Sequence, residues 1–156
     1  MTTKKMAIIA TKGALDMAYP PLILASTAAA LDWEVQVFFT FYGLSLLRKD
    51  IRDIRISPLA NPAMPMPMPM PVTLRMMPGM EAMATSMMKA KMKKKGVATL
   101  EELRSLCLEA DVKFIACQMT VDLFDYQKSD FIDGIEFGGA ATFLQFAGET
   151  DVSLFI

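Results

Sequence analysis

The chain has 156 residues, 53% of them apolar, and a net charge of −1. That is long enough for one domain with a sizeable core, and the balance speaks against both disorder and a basic nucleic-acid binder. No histidine occurs, which excludes histidine-assisted serine or cysteine nucleophiles and histidine metal sites within one chain. The amino terminus lacks the basic segment, apolar run and small-residue cleavage site of a signal peptide. The longest weakly polar run, Met17 to Leu31, falls short of the roughly 20 residues that span a bilayer. A cytoplasmic protein with two reduced cysteines is expected.

In chain order, Lys5–Ala10 (KMAIIA) is an apolar run that suits a buried first strand. Thr11-Lys12-Gly13 follows as a turn, with one glycine and no GxGxxG fingerprint, so it gives little support to a dinucleotide site. Helical spacing then runs from about Leu15 to Leu31, with an alanine-rich face suited to close packing on a sheet. Pro20 and Pro21 predict a kink there or a start near that pair. Trp33–Phe41 (WEVQVFFTF) reads as a second buried strand. A short amphipathic piece follows Gly43, and Asp50–Ile56 alternates weakly, as a small edge strand or a loop.

Residues 57–96 read as an insertion. Of the 15 methionines, 11 lie between Met64 and Met92. Prolines 62, 65, 67, 69 and 71 alternate with methionines 64, 66, 68 and 70, which predicts an extended or polyproline-type loop. From about Pro78 a methionine-faced helix takes over. It ends in Lys89, Lys91 and Lys93–Lys95, with Gly96 as its stop. The MxM spacing offers soft thioether ligands for Cu(I). No histidine or cysteine accompanies it, so a plastic apolar packing surface is the better account and no metal is expected. With the lysines alongside, an acidic protein partner or a membrane surface stays open, the latter not favoured.

Thr99 is the predicted N-cap of a helix over Leu100–Ala110, with Glu101 and Glu102 in its first turn. Lys113–Cys117 is then a short strand that runs straight into a helix over about Gln118–Phe124. Gly134–Phe137 reads as a further strand, Gly138–Thr142 opens a last helix to about Ala147, and Asp151–Ile156 ends the chain as a strand. Strands alternating with helices predict an α/β domain with a mainly parallel sheet covered on both faces.

Cys117 is the candidate reactive group. A thiol at the carboxyl end of a strand and the amino end of a helix sits where open α/β sheets do chemistry. Amides and helix dipole there favour the thiolate. Cys107 lies on the apolar stripe of its helix with Leu100 and Leu103 and reads as core. An axial gap of about 10 Å separates the two cysteines in a helix–turn–strand hairpin, beyond the roughly 7 Å a disulfide tolerates between Cα atoms. Cys117 is therefore expected to work without Cys107 as a resolving thiol.

Phe114-Ile115-Ala116-Cys117-Gln118-Met119-Thr120-Val121-Asp122 and Asp133-Gly134-Ile135-Glu136-Phe137-Gly138-Gly139-Ala140-Ala141-Thr142 resemble the DsrE/DsrF/DsrH-like family. The branch matched is one labelled peroxiredoxin-like, with a methionine- and proline-rich insertion. Ile8–Gly13, Thr40–Gly43 and Val152–Phe155 fit as well, so the resemblance covers nearly the whole chain, residues 1–156 as one domain. It implies a flavodoxin-like fold, homo-oligomeric assembly and a sulfur-carrying cysteine at Cys117. Gln118, Met119 and Thr120, with Thr11, Lys12 and Gly13, would support that cysteine.

The implied activity is that of a sulfur carrier or sulfurtransferase. Persulfide sulfur would be relayed between donor and acceptor proteins, such as a carrier of the TusA type, without a redox cofactor. One alternative is an interaction subunit that uses its methionine-rich helix and has an inert Cys117. A thiol peroxidase ranks last, because no arginine stands near Cys117 in sequence and no resolving cysteine is within reach.

Overall fold

The protein is described from a computed structural model that covers residues 2–57, 71, 73 and 76–156. The predicted proline–methionine loop lies outside the described residues, apart from Ser57 and Pro71. The chain forms β1 (Lys5–Ala10), α1 (Leu15–Ala30), β2 (Glu34–Phe39), α2 (Met80–Lys94), α3 (Leu100–Glu109), β3 (Lys113–Cys117), α4 (Gln118–Leu123), β4 (Glu136–Gly138), α5 (Ala140–Ala147) and β5 (Val152–Phe155). The five strands make one sheet in the order β4-β3-β2-β1-β5, and every pairing is parallel. This is the expected α/β architecture. The chain walks outward from β1 to β4 and returns to add β5 on the other side of β1.

Side chains of a strand alternate between its faces, and here the two faces are unequal. On one, α1 and α3 bury Ala18, Leu22, Ala25, Leu100, Leu103 and Cys107 against Ile8, Val37, Phe39, Phe114 and Ala116. On the other, α5 sets Phe143 and Phe146 on Ala7, Phe38, Ile115 and Cys117. The small residues of α1 let that helix lie close to the sheet, as the alanine-rich face predicts.

Helix α1 runs unbroken through Pro20 and Pro21 and does not start at that pair. The two prolines lack the N–H groups that would reach the carbonyls of Asp16 and Met17. Burial of the α1 face outweighs that loss. Asp50–Ile56 is loop and turn, not an edge strand; its apolar residues Ile51 and Ile56 are nonetheless buried. Thr99 caps α3 as predicted. It accepts from the Glu102 amide at 3.2 Å, and Glu102 accepts from the Thr99 amide at 2.7 Å, a reciprocal capping box.

A 3-10 segment, Phe41–Leu47, follows β2 at the carboxyl edge of the sheet. Gly43 lies so close to the Ala10 carbonyl that a Cβ there would collide with it. Arg104, buried on α3, donates from Nη1 to the carbonyls of Leu46 (2.9 Å) and Arg48 (2.7 Å). These contacts fix the segment that carries Thr40 and Phe41 beside the end of β3.

Candidate functional site

Cys117 ends β3 and is the N-cap of α4, with φ −65° and ψ 111°. Strand alternation sends Phe114 and Ala116 toward α1 and α3, and Ile115 and Cys117 toward α5. Cys117 therefore joins the cluster of Phe38 and Phe143, whose rings stack at 5.1 Å. It is only 5% exposed, more enclosed than a thiol at an open sheet edge would be, because α5 packs over this end of β3.

Burial pushes the thiol pKa up, since it penalises the anion. Hydrogen bonding available to the anion from the Thr120 hydroxyl and amide, the Thr40 hydroxyl and the Met119 amide acts the other way, and the net direction is down; among the described residues no hydrogen bond ends on Cys117 Sγ itself. Cys117 closes no side-chain cap bond with α4. These donors stand where a thiolate would draw them in. Thr120 is fully buried. Its Oγ1 lies 3.3 Å from Thr40 Oγ1 and accepts from the Phe41 amide at 3.1 Å. Phe41 has φ 47°, a left-handed backbone that costs a non-glycine residue about 1–2 kcal/mol. Strain of this kind collects at functional sites, and here it aims an amide at Thr120.

The other predicted residues divide. The Met119 and Thr120 amides face the sulfur, but the Met119 side chain is exposed. Gln118 turns along its helix, and Nε2 donates to Asp122 Oδ1 at 2.8 Å. Thr11 is occupied elsewhere: its amide and hydroxyl both donate to the Ile156 carbonyl, at 2.9 and 3.0 Å. Lys12 and Gly13 line a cavity of about 590 Å³ with Phe41, Tyr42, Phe124 and Tyr126, and Cys117 is not part of its wall. Strand β1 is separated from β3 by β2, about 10 Å at ordinary strand spacing. The Thr11–Gly13 turn thus shares the carboxyl edge with Cys117, with β2 between their strands.

Thr40 also stands at the candidate site, and sequence reasoning does not pick it out. In the β2–β3 register Phe39 pairs with Ala116, so Thr40 comes level with Cys117. On the other side Gly138 pairs with Cys117 directly.

Cys107 has the opposite environment. It is fully buried, its Sγ donates to the Leu22 carbonyl at 3.5 Å, and burial pushes its pKa up to about 12. The two cysteines are free and lie on opposite faces of the sheet. Among the described residues no cluster of three histidine, cysteine or acidic side chains could hold a metal, and no helix is long and apolar enough to cross a membrane.

A parallel five-stranded sheet with helices on both faces, and Cys117 at the end of its third strand, has the α/β fold of DsrE-like proteins. A profile of the DsrE/DsrF/DrsH-like family matches residues 2–155, and the chain belongs to that family. It is 65% identical over 160 residues to the "Sulfur carrier protein DsrE2" of Allochromatium vinosum, covering 100% of both chains. It is 35% identical to the "Uncharacterized protein YrkE" of Bacillus subtilis, covering 99% of this chain and 98% of that one. The crystal structure of the ychN protein from E. coli shares the fold, with a TM-score of 0.57 at 13% identity, covering 99% of this chain and 100% of that one.

Proposed function

We propose that this protein carries sulfane sulfur as a persulfide on Cys117. The observation that carries this proposal is the position of Cys117 at the end of β3 and the start of α4, level with Thr40 at the end of the neighbouring strand and next to buried Thr120. The name of the 65%-identical relative, a sulfur carrier, supports it. Cys117 thiolate attacks the outer sulfur of a donor persulfide. The new S–S bond forms at Cys117 as the donor's S–S bond breaks, and the donor leaves as a thiolate. An acceptor thiolate then attacks the outer sulfur on Cys117, takes it as its own persulfide, and returns Cys117 to thiolate. Each step exchanges one S–S bond for another, so no external oxidant or reductant enters.

The Thr40 and Thr120 hydroxyls and the Met119 and Thr120 amides hold the anion before and after each transfer. At 5% exposure, Cys117 is reached by a slender persulfide, either a small molecule or one borne on an extended arm. Donor and acceptor proteins, the acceptor being a small carrier of the TusA type, are the proposed partners. We further propose that it acts in the cytoplasm as a homo-oligomer of one α/β domain.

A second function, an assembly subunit with an inert Cys117, is favoured by that same low exposure and by the exposed methionines of α2. One experiment separates the two. Protein loaded from inorganic polysulfide is freed of donor and mixed with a thiol acceptor. A carrier loses its extra sulfur to the acceptor as persulfide. Protein that never loads, or that keeps its sulfur indefinitely, contradicts the proposal.

A further inference from the structure

A cavity of about 700 Å³ opens between the start of α1, the loop after the Phe41–Leu47 segment, the end of α2 and the first turn of α3. That volume lies in the range of small-molecule sites, about 300–1,000 Å³. Its floor is apolar and fixed. Leu15, Tyr19, Ile51 and Leu100 are buried in the core on the α1–α3 face of the sheet, and the Tyr19 hydroxyl donates to the Ala98 carbonyl at 2.9 Å. Cys117 belongs to the cluster on the opposite face, and no residue of its site lines this cavity.

Charges of both signs stand on the wall: Lys89 and Lys93 from α2, Arg52 from the loop, and Glu101 and Glu102 from α3. Each sign suits its own helix end, lysine at a carboxyl terminus and glutamate at an amino terminus. That preference does not require the two sets to share one cavity and stay apart in it. Among the described residues the ion pairs are Lys5–Glu34, Lys5–Glu149 and Arg52–Asp50, so none closes across the cavity. Arg52 is committed to Asp50, and Lys89 Nζ donates to the Arg52 carbonyl at 2.6 Å. Glu102 accepts from the Thr99 amide with one carboxylate oxygen. Among the described residues no side-chain hydrogen bond or ion pair engages the Lys93 ammonium or the Glu101 carboxylate. Burial, and then the Glu101 and Glu102 carboxylates, push the Tyr19 phenol pKa up, so both negative charges are felt at the floor.

We propose that this cavity binds a short peptide with free ends, its ammonium facing Glu101 and Glu102, its carboxylate facing Lys89 and Lys93, and an apolar side chain on the floor. A zwitterion satisfies both rims at once, whereas a simple anion or cation meets one rim and is repelled by the other. Size favours a peptide over a single amino acid. An equal-sided cavity of about 700 Å³ is about 9 Å across, and two or three extended residues span about 7–10 Å. The proposal does not depend on sulfur transfer at Cys117.

The test uses the full chain and the tripeptide alanyl-leucyl-alanine in three forms: free, N-acetylated and C-amidated. Calorimetry gives the affinity, and backbone amide NMR shifts give the location. The free peptide is expected to bind, each blocked form about tenfold more weakly, with the largest shifts at Lys89–Glu102 and at Ile51 and Arg52. Glu101→Gln should shrink the penalty for acetylation and leave that for amidation, and Lys93→Gln should do the reverse. Lys93 is exposed and Glu101 half-buried, so both variants keep the fold. No binding to wild type, equal binding of the three forms, shifts centred elsewhere, or penalties unchanged in both variants overturns the proposal.

Discussion

Two thiols in one small chain differ in fate because of what surrounds each sulfur. Cys107 meets only apolar groups and one carbonyl, and burial pushes its pKa up to about 12. Burial opposes the Cys117 anion, but the nearby Thr120 and Thr40 hydroxyls and the first amides of α4 favour it, and its pKa is lowered. Alkylation measures thiolate directly. Native protein at neutral pH should be alkylated by iodoacetamide at Cys117 and not at Cys107, with Cys107 reacting only after denaturation. Thr40→Val removes one donor and raises the Cys117 pKa. The alkylation rate should therefore fall at neutral pH and return toward wild type at high pH, where the thiol ionises unaided. A rate deficit that persists unchanged at high pH would mean that Thr40 acts on access and not on charge. Cys117 was legible in the sequence because strand, cysteine and helix follow one another within a few residues. Thr40 was not, because its role depends on β2 lying beside β3, a neighbour relation that local pattern does not carry.

At the scale of elements, type was more legible than detail. All five strands and the long helices follow from apolar runs and helical spacing. The Thr99–Glu102 cap was visible as Thr99 followed by Glu101 and Glu102, although the reciprocal bond appears only in the structure. Thr99→Ala should cost about 1 kcal/mol, read from the denaturation midpoint. The prolines of α1 show the limit of propensity. They predict a kink or a helix start, yet the helix begins at Leu15 and runs on through both, with its alanine face buried against the sheet. Arg104 was illegible for a different reason. It sits on a helix whose other charged residues are partly or fully exposed, yet it is buried, with its Nη1 shared by the carbonyls of Leu46, in the Phe41–Leu47 segment, and of Arg48, just after it. Arg104→Met leaves those carbonyls without their donor. It should cost about 2–3 kcal/mol and loosen the segment that holds Thr40. Reduced Cys117 alkylation at neutral pH, alongside the stability loss, would link the two. A stability loss with unchanged reactivity would confine Arg104 to packing.

Across the whole molecule, the sheet order determines which parts of the carboxyl edge can act together. Thr11, Lys12 and Gly13 were grouped with Cys117 on the strength of family resemblance. The β1–β2–β3 order sets a strand between them, and the Ile156 carbonyl engages Thr11. Two cysteines that pattern reading kept apart by axial distance are also kept apart by the sheet itself. The proposed relay would use a single sulfur in each subunit, and the acceptor thiol would come from outside it. The measurement that bears most directly on this is intact-mass spectrometry after brief exposure to inorganic polysulfide, comparing wild type with Cys117→Ser and Cys107→Ser. A gain of one sulfur or a short sulfur chain in wild type and Cys107→Ser, and none in Cys117→Ser, is the predicted result. Equal gain in Cys117→Ser, or none in correctly folded wild type, would contradict the carrier function.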